Sequence, residues 1–528
     1  MINSKKIFFG LLCLIGIHPS FSQQIIPQPL EVVTKTGFFS FNTPVAVYAD
    51  EALTNEVDYL STLWQSDFGV IVNRSTTSIS TGILLKSDQA LQAELGEEGY
   101  KLSVHQQGVE IKAATPTGIF YGIQSLRQLM KKSAHWQVQF QEIKDQPRFS
   151  WRSYMLDEGR YFKGKEVVKK ILDEMALLKM NVFHWHLTED QGWRLAIDNY
   201  PALTSIGGKR DSTQVGSWES KVYDGKVHQG YYSKEDVKEI IAYAASRHIQ
   251  VVPEIEMPGH SSAAIAAYPW LGVTKKPISV PTSFGVKYDI FDVTDPKVIS
   301  FLQEVLNEVI ELFPSKVIHI GGDEVKYDQW LKSEKVQAYM RAHKLSSPAD
   351  LQIAFTNAIS NYIAGKNRQM MGWNDIMGAK LHDYNQQTAP VTGTLSKSTI
   401  VQFWKGELAM VKDAVSKGYH VVNSYHLYTY LDYDYKTIPL KKAYDFDPIP
   451  EGLDRRYHKQ ILGLGAQMWG EWIPSVQAMN QQTFPRIAAY AEVGWTSKAN
   501  KDFDRFEKGL TNLYHRWDKK GIEYHKIF

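Results

Sequence analysis

The sequence predicts an α/β protein, a (β/α)8 barrel catalytic domain preceded by a small α+β domain, and three observations carry that expectation. From Trp151 onward, short apolar runs suited to buried parallel strands alternate with amphipathic helical stretches, the pattern of successive βα units. The runs number eight, as a closed barrel requires. No Gly-x-Gly-x-x-Gly follows the first of them, and Gly463-Leu-Gly465 fails because Met468 holds the third glycine position, so a doubly wound nucleotide-binding sheet is the weaker alternative.

Taken in order, residues 1–22 read as an export leader. Lys5 and Lys6 precede an apolar stretch over 7–17, and Ser20-Phe21-Ser22 offers a small-x-small cleavage site. The stretch is too short for a good membrane span. Residues 23–147 form the predicted α+β domain. Strands are expected over 45–48, 82–85, 100–105 and 108–113, and an amphipathic helix over 117–130 with Ile119, Ile123, Leu126 and Met130 on one side. Pro147 and its polar neighbours mark the junction. Within 148–528, barrel strands are expected to end near Leu156, Trp185, Ile255, Ile320, Trp373, Gln402, Ser424 and Gln467. Helices are expected over 165–179, 234–247, 298–312, 351–364 and 407–417, and the chain finishes with helical sequence over 502–519.

Composition narrows the function. Cys13, in the leader, is the only cysteine, so a mature chain excludes thiol redox and thiolate–metal chemistry. Without Lys5 and Lys6 the basic side chains fall from 59 to 57, matching the 57 acids, and no basic tract stands out, so nucleic acid is not an expected partner. The expected location is the periplasm or the exterior. The 14 tryptophans are the notable excess, because tryptophan faces suit sugar rings as well as protein core.

Barrel enzymes carry their chemistry at the C-terminal ends of the strands. Here those ends read Asp157-Glu-Gly-Arg160, then His184-Trp-His186-Leu-Thr-Glu189-Asp190, then Glu254-Ile-Glu256-Met-Pro-Gly259-His260. His319-Ile-Gly-Gly-Asp323-Glu324 follows, then Trp373-Asn-Asp375, Gln402-Phe-Trp404, Tyr428-Thr-Tyr430-Leu-Asp432 and Trp469-Gly-Glu471-Trp472. Carboxylates and arginine bind hydroxyls in pairs and tryptophans stack on sugar faces, so the set reads as a carbohydrate pocket. The fourth end is the sharpest: two glycines give a ligand close access to backbone, and two acids follow directly. Gly-Gly-Asp-Glu also opens a nucleotide-cyclase signature, but Val325 replaces its Phe and nucleoside triphosphates are scarce outside the cytoplasm.

Blander readings attach to single positions. His184 and His186, with Glu189 and Asp190, have metal-ligand residue types, yet such pairs are more often hydrogen-bonded wall residues, and neither metal nor cofactor is expected. Arg160 also reads as a surface ion-pair partner, and Trp373 and Trp404 as barrel core. Structural ion pairing is expected for Arg486 and Glu492.

Together these segments resemble glycoside hydrolase family 20, the β-N-acetylhexosaminidases, over most of the mature chain. His-Trp-His-Leu-Thr-acid-Asp-Gln, Pro-Glu-Ile-acid-Met-Pro-Gly-His, His-x-Gly-Gly-Asp-Glu and the late Trp-x-Glu occur in order. Glu189 and Glu256 stand where Asp is common, keeping the charge. The resemblance implies a retaining exo-hydrolase in which the substrate's 2-acetamido oxygen is the nucleophile, an exception to the two-carboxylate scheme. It implies Glu324 as acid and base and Asp323 as partner of the acetamido N–H. It implies Tyr430 at the acetamido oxygen, Asp432 at hydroxyls, and Trp373, Trp404 and Trp469 around the ring. Arg160 and Glu471 would fix the outer hydroxyls, while Asp190 and His260 orient neighbours or bind substrate. His319 is expected only to support the acids from behind. Expected substrates are N-acetylhexosamine-terminated glycans: chitooligosaccharides, N- or O-glycans, or glycosaminoglycan fragments. Alternatives are release of a disaccharide or a sulfated sugar, with the loops 207–232 and 269–289 shaping the pocket, or glycan binding without catalysis.

Overall fold

The computed structural model describes residues 24–384 and 390–527, so the leader reading lies outside the described residues. The barrel closes from eight parallel strands: β1 (Trp151–Asp157), β2 (Val182–His186), β3 (Gln250–Glu254), β4 (Val317–His319), β5 (Gln369–Trp373), β6 (Ile400–Phe403), β7 (His420–Asn423) and β8 (Ile461–Met468), with β8 pairing back to β1. All eight are strands the sequence predicts, within a residue or two at their ends.

Strand alternation decides what faces the axis. In β2, Phe183 and Trp185 point outward; Trp185 packs on Phe313 and Tyr232. His184 and His186 point inward. Residues near the strand starts, Trp151, Val182, Val252, Val317, Met371, Ile400 and Val422, form an apolar cluster at the base of the barrel. The histidines and acids of the site stand above this cluster, where the strands end.

Helices α1 (Lys165–Leu177), α2 (Lys234–Ala245), α3 (Pro296–Leu312) and α4 (Pro348–Gly365) follow the first four strands. Ser233 and Asp236 form a reciprocal capping box that starts α2. The connection from β5 to β6 is different: among its described residues the only named element is the short 3-10 turn Asn374–Met377.

The N-terminal domain is richer in strands than the sequence reading expects. Its eight-stranded mixed sheet includes Glu31–Phe41 and Trp136–Asp145, paired antiparallel, and carries the helices Thr54–Phe68 and Pro116–Leu129. The two strands are hard to read because Glu31–Phe41 is mostly exposed and a register shift between Thr34 and Phe38 breaks its alternation. The junction is not a loose linker. Asp145 accepts hydrogen bonds from the buried Lys179 Nζ (2.8 Å), Tyr100 Oη (2.7 Å) and Trp495 Nε1 (2.9 Å), and the buried Arg152 grips Glu98 with two nitrogens at 2.6 and 3.1 Å. Breaking one side of such buried pairs leaves an uncompensated charge, so the two domains are locked together.

Candidate active site

The fourth strand end is shaped by backbone that only glycine tolerates well. Gly321 and Gly322 have φ of +65° and +86°, and a Cβ on Gly321 would lie 1.8 Å from Glu256 Oε2. The turn carries Asp323 and Glu324 over the barrel mouth, with Glu324 itself at φ +51°, a strained value for a side-chain-bearing residue. His319 accepts the Gly321 N–H at 3.0 Å, supporting the turn from behind as expected.

Beneath lies an anchored polar layer fixed by strand register: His186 pairs across to Glu254, and Glu254 to His319. Glu254 Oε2 lies 2.8 Å from His184 and 2.6 Å from His186, while Oε1 lies 2.9 Å from His319 and accepts Trp373 Nε1 at 2.7 Å. Burial raises the carboxyl's pKa, but the surrounding imidazoles outweigh it and hold Glu254 well below the ordinary range. The His-x-His pair therefore forms wall, in direct contact with carboxylate oxygens.

Asp323 is buried, 7% exposed, and its Oδ1 has no hydrogen-bond partner among the described residues. Burial pushes its pKa up to about 7; the charge of His260 opposes this, and those of Asp375, Glu254 and Glu324 add to it. A buried acceptor left open is expensive unless a ligand completes it. His260 Nε2 stands 3.6 Å from Asp323 Oδ2 and 3.7 Å from Glu324 Oε2. Its Nδ1 faces Glu189 at 3.1 Å and Asp190 at 3.3 Å. Burial disfavours the imidazolium, yet Glu189 and Asp323 overcome this and raise its pKa well above the usual value. Asp190 also accepts the Ser262 N–H (3.0 Å) and Oγ–H (2.6 Å), which makes it an orienting group beneath the surface.

On the opposite side, Trp373, Trp404, Tyr430 and Trp469 form adjoining walls. Trp404 and Tyr430 stack 6.1 Å apart at 9°, and Trp469 lies 6.0 Å from Tyr430 and 5.6 Å from Trp373. Trp373 thus serves core and site together: its ring faces the aromatic wall and its N–H holds Glu254. Asp432 Oδ1 is a further buried polar atom without a hydrogen-bond partner among the described residues. Burial, then the charge of Glu471, pushes Asp432 up to about 8.

Arg160 is no surface residue. It is 6% exposed, spans Asp157 (3.0 Å), Glu189 (2.8 Å) and Glu471 (3.5 Å), and lies 5.1 Å over the Trp469 ring. The two long loops meet beside it. Trp218, from the first, and Phe284, from the second, both edge onto Trp472, next to Glu471, at 5.3 and 5.0 Å.

All eleven residues expected at the site therefore cluster at one end of the barrel. One structural expectation needs correction. Glu492 is ion-paired, to Arg505, but Arg486 has no acid partner among the described residues. Its buried guanidinium instead donates to the carbonyls of Leu431 (2.7 Å), Tyr433 (2.8 Å), Ile438 (3.3 Å) and Gln482 (2.9 Å), clamping the segment that carries Tyr430 and Asp432. Sequence reasoning also missed His382. It sits in the irregular connection after β5, where no periodicity marks it, and reaches Asp375 at 2.8 Å and Glu324 at 3.7 Å.

A (β/α)8 barrel whose mouth combines an adjacent acid pair, an arginine held among carboxylates and an aromatic enclosure presents a pocket of the residue types that bind sugars. Comparison with known proteins makes the class specific. The model for the glycosyl hydrolase family 20 catalytic domain matches residues 149–498, and that for glycosyl hydrolase family 20, domain 2, matches residues 22–146. The chain belongs to glycosyl hydrolase family 20. A β-hexosaminidase of Porphyromonas gingivalis is 33% identical over 524 residues, covering 95% of this chain and 64% of its own length. The chain thus spans just under two thirds of that relative. A β-hexosaminidase of Vibrio furnissii is also 33% identical, over 90% of this chain and 77% of its own. A solved family 20 exo-β-N-acetylglucosaminidase from Vibrio harveyi, in complex with N-acetylglucosamine, superposes with a TM-score of 0.83 at 28% identity, covering 96% of this chain and 78% of its own.

Proposed function

We propose that this protein is a retaining exo-β-N-acetylhexosaminidase that removes terminal non-reducing GlcNAc or GalNAc by substrate-assisted catalysis. The carrying observation is Asp323, whose buried Oδ1 has no hydrogen-bond partner among the described residues and whose Oδ2 shares His260 Nε2 with Glu324 Oε2. Two acids adjacent on one turn are poorly placed to flank a glycosidic bond as acid and nucleophile. They suit a division of labour. The acetamido carbonyl oxygen attacks the anomeric carbon while the bond to the leaving oxygen breaks and Glu324 gives that oxygen its proton. Asp323 accepts the acetamido N–H and offsets the positive charge that develops on the oxazolinium ring, and the Tyr430 hydroxyl holds the acetamido oxygen. Water, deprotonated by Glu324, then attacks the anomeric carbon and reopens the ring. Two inversions give net retention.

Trp373, Trp404 and Trp469 exclude water around the acetamido group. Arg160, Glu471 and Asp432 bind the outer hydroxyls, and the closure around them by Trp472 and the two long loops restricts the enzyme to chain ends. The relatives' names, the GlcNAc bound in the Vibrio harveyi enzyme and the residue set support this reading. Substrates are N-acetylhexosamine-terminated glycans such as chitooligosaccharides, N- or O-glycans or glycosaminoglycan fragments. The basic–apolar–small pattern of residues 1–22 supports export to the periplasm or the exterior, and no helix among the described residues is long and apolar enough to cross a membrane.

Release of nitrophenol from β-GlcNAc and β-GalNAc aryl glycosides tests the activity, and failure on both as well as on diacetylchitobiose glycosides overturns it. A thiazoline mimic of the cyclised intermediate is expected to inhibit competitively. Indifference to it would indicate a nucleophile supplied by the protein.

A further inference from the structure

The pocket differs in charge from one end to the other. Where it receives the terminal sugar it is lined by the carboxyl groups of Asp432 and Glu471, and Arg160 is shared by Asp157, Glu189 and Glu471. The side beyond Glu324 is built differently. Glu324 hands its proton to the leaving oxygen, so the leaving sugar lies on this side. A chain of contacts runs outward from it. His382 Nδ1 stands 3.7 Å from Glu324 Oε1, Tyr384 stacks on His382 at 5.0 Å and 13°, and Lys326 Nζ lies 5.2 Å over the Tyr384 ring. Lys326 Nζ also lies 4.1 Å over Tyr288. Tyr288 and Tyr384 are 54% and 38% exposed, so two aromatic faces hold this lysine at the open rim.

An aromatic face attracts an ammonium without neutralising its charge. Lys326 forms no ion pair with an acid among the described residues; Asp289, next to Tyr288, accepts Gln329 Nε2 at 3.0 Å instead. Two further lysines without ion pairs among the described residues flank it. Lys287 Nζ donates to Ser283 Oγ at 2.8 Å and to the Phe284 carbonyl at 2.9 Å. Lys405 Nζ lies 3.3 Å from His382 Nδ1 and 5.3 Å over Trp404. Burial lowers the Lys287 pKa, Asp190 and Glu189 oppose this, and the charge of Lys326 adds to it, which sets the two ammoniums in one field. The chain's 59 basic and 57 acidic side chains nearly balance, so this rim is a local concentration of positive charge and not a general basicity.

We propose that this rim, with Lys326 at its centre, recognises an anionic leaving sugar, a uronate or a sulfated hexose, next to the terminal N-acetylhexosamine. The proposal rests on the hexosaminidase reading and narrows its substrate class. The anion belongs on the leaving sugar because the terminal-sugar end offers carboxyl groups and an arginine already shared by three acids. An ammonium meeting a carboxylate or sulfate makes a charge-assisted hydrogen bond, and the exposed tyrosine faces give the sugar ring a surface to pack on. Solvent and salt weaken a pair at an open rim, so the effect falls on selectivity between substrates and not on the chemical step.

The test compares wild type, Lys326→Met and Lys326→Arg on matched pairs of disaccharides. GlcNAc β-linked to glucuronic acid is set against GlcNAc β-linked through the same hydroxyl to glucose, so the pair differs by one carboxylate. GlcNAc β-linked to galactose is set against the same disaccharide sulfated on the primary hydroxyl of galactose. The wild type is expected to prefer an anionic member roughly 3- to 10-fold in kcat/KM, through KM, and to lose this preference as salt rises from about 0.02 to about 0.5 M. A preference in the first pair alone identifies the anion as carboxylate, and in the second alone as sulfate. Lys326→Met is expected to bring the ratio to within about twofold of unity, whereas Lys326→Arg, which keeps the charge, retains most of it. Equal kcat/KM within both pairs, or a preference that survives Lys326→Met, overturns the proposal. Failure to release GlcNAc from the aryl glycosides overturns the hexosaminidase reading and this inference with it. Normal turnover of those glycosides without an anionic preference overturns this inference alone.

Discussion

Replacing Asp323 by Asn is expected to stabilise the fold while removing turnover, and the gain should depend on pH in one direction. Burial holds the Asp323 carboxyl at about 7 in the folded protein against an ordinary value of 3.8. Below pH 4 both states are protonated and the residue is neutral toward stability. Between about pH 4 and 7 the unfolded chain releases a proton that the folded chain retains, so stability falls as pH rises, and above 7 the penalty is constant. Three pKa units correspond to about 4 kcal/mol. Asn has no such titration, and the attraction to His260 Nε2, 3.6 Å away, is already contained in the value of about 7. The expectation is therefore about 4 kcal/mol near pH 8, or about 5 °C in unfolding temperature for a domain of ~350 residues.

The assay is thermal unfolding of both proteins at pH 5, 6.5 and 8 in matched ionic strength, with turnover of a nitrophenyl glycoside measured in parallel. The difference in unfolding temperature should be small at pH 5 and grow toward pH 8. A pH-independent difference, or a variant less stable than wild type at pH 8, would refute the argument that Asp323 is an ionisable group held at energetic cost for a ligand. The expected loss of turnover follows from the charge: Asn can still meet an N–H, but it cannot offset a cationic intermediate.

Gly321→Ala should lower stability by at least about 2 kcal/mol, read as loss of soluble yield or unfolding temperature, because its Cβ would overlap the Glu256 carboxylate at a φ of +65°. Glu256→Gln should be close to neutral in stability, within about 1 kcal/mol by denaturant titration, because burial, then Asp323 and Glu254, push that carboxyl well above its ordinary range, toward the neutral form that Gln mimics. Arg486→Met should cost about 3–5 kcal/mol and also lower kcat, because it strips donors from carbonyls on the segment carrying Tyr430 and Asp432. A stability loss with unchanged kcat would show that this clamp does not position the pocket.

What could be read from the sequence follows how locally each feature is encoded. The barrel strands are continuous apolar runs that break into polar residues at one end, so both their existence and the face bearing the chemistry appear in one-dimensional order. The eleven expected site residues lie on those breaks. The misses are residues whose partners are set by tertiary geometry. Glu31–Phe41 reads poorly because it is a mostly exposed strand whose pairing is interrupted. Arg486 reads as an ion-pair partner because sequence displays its charge and not the backbone carbonyls that turn toward it. His382 lies on an irregular connection, and only the fold places its ring between Asp375 and Glu324. The same distinction bears on function. The strand-end residues that sequence reveals define what the pocket binds and which group carries the proton. The loop residue it conceals, His382, brings a ring to within 3.7 Å of the Glu324 carboxyl from a connection that no strand break announces.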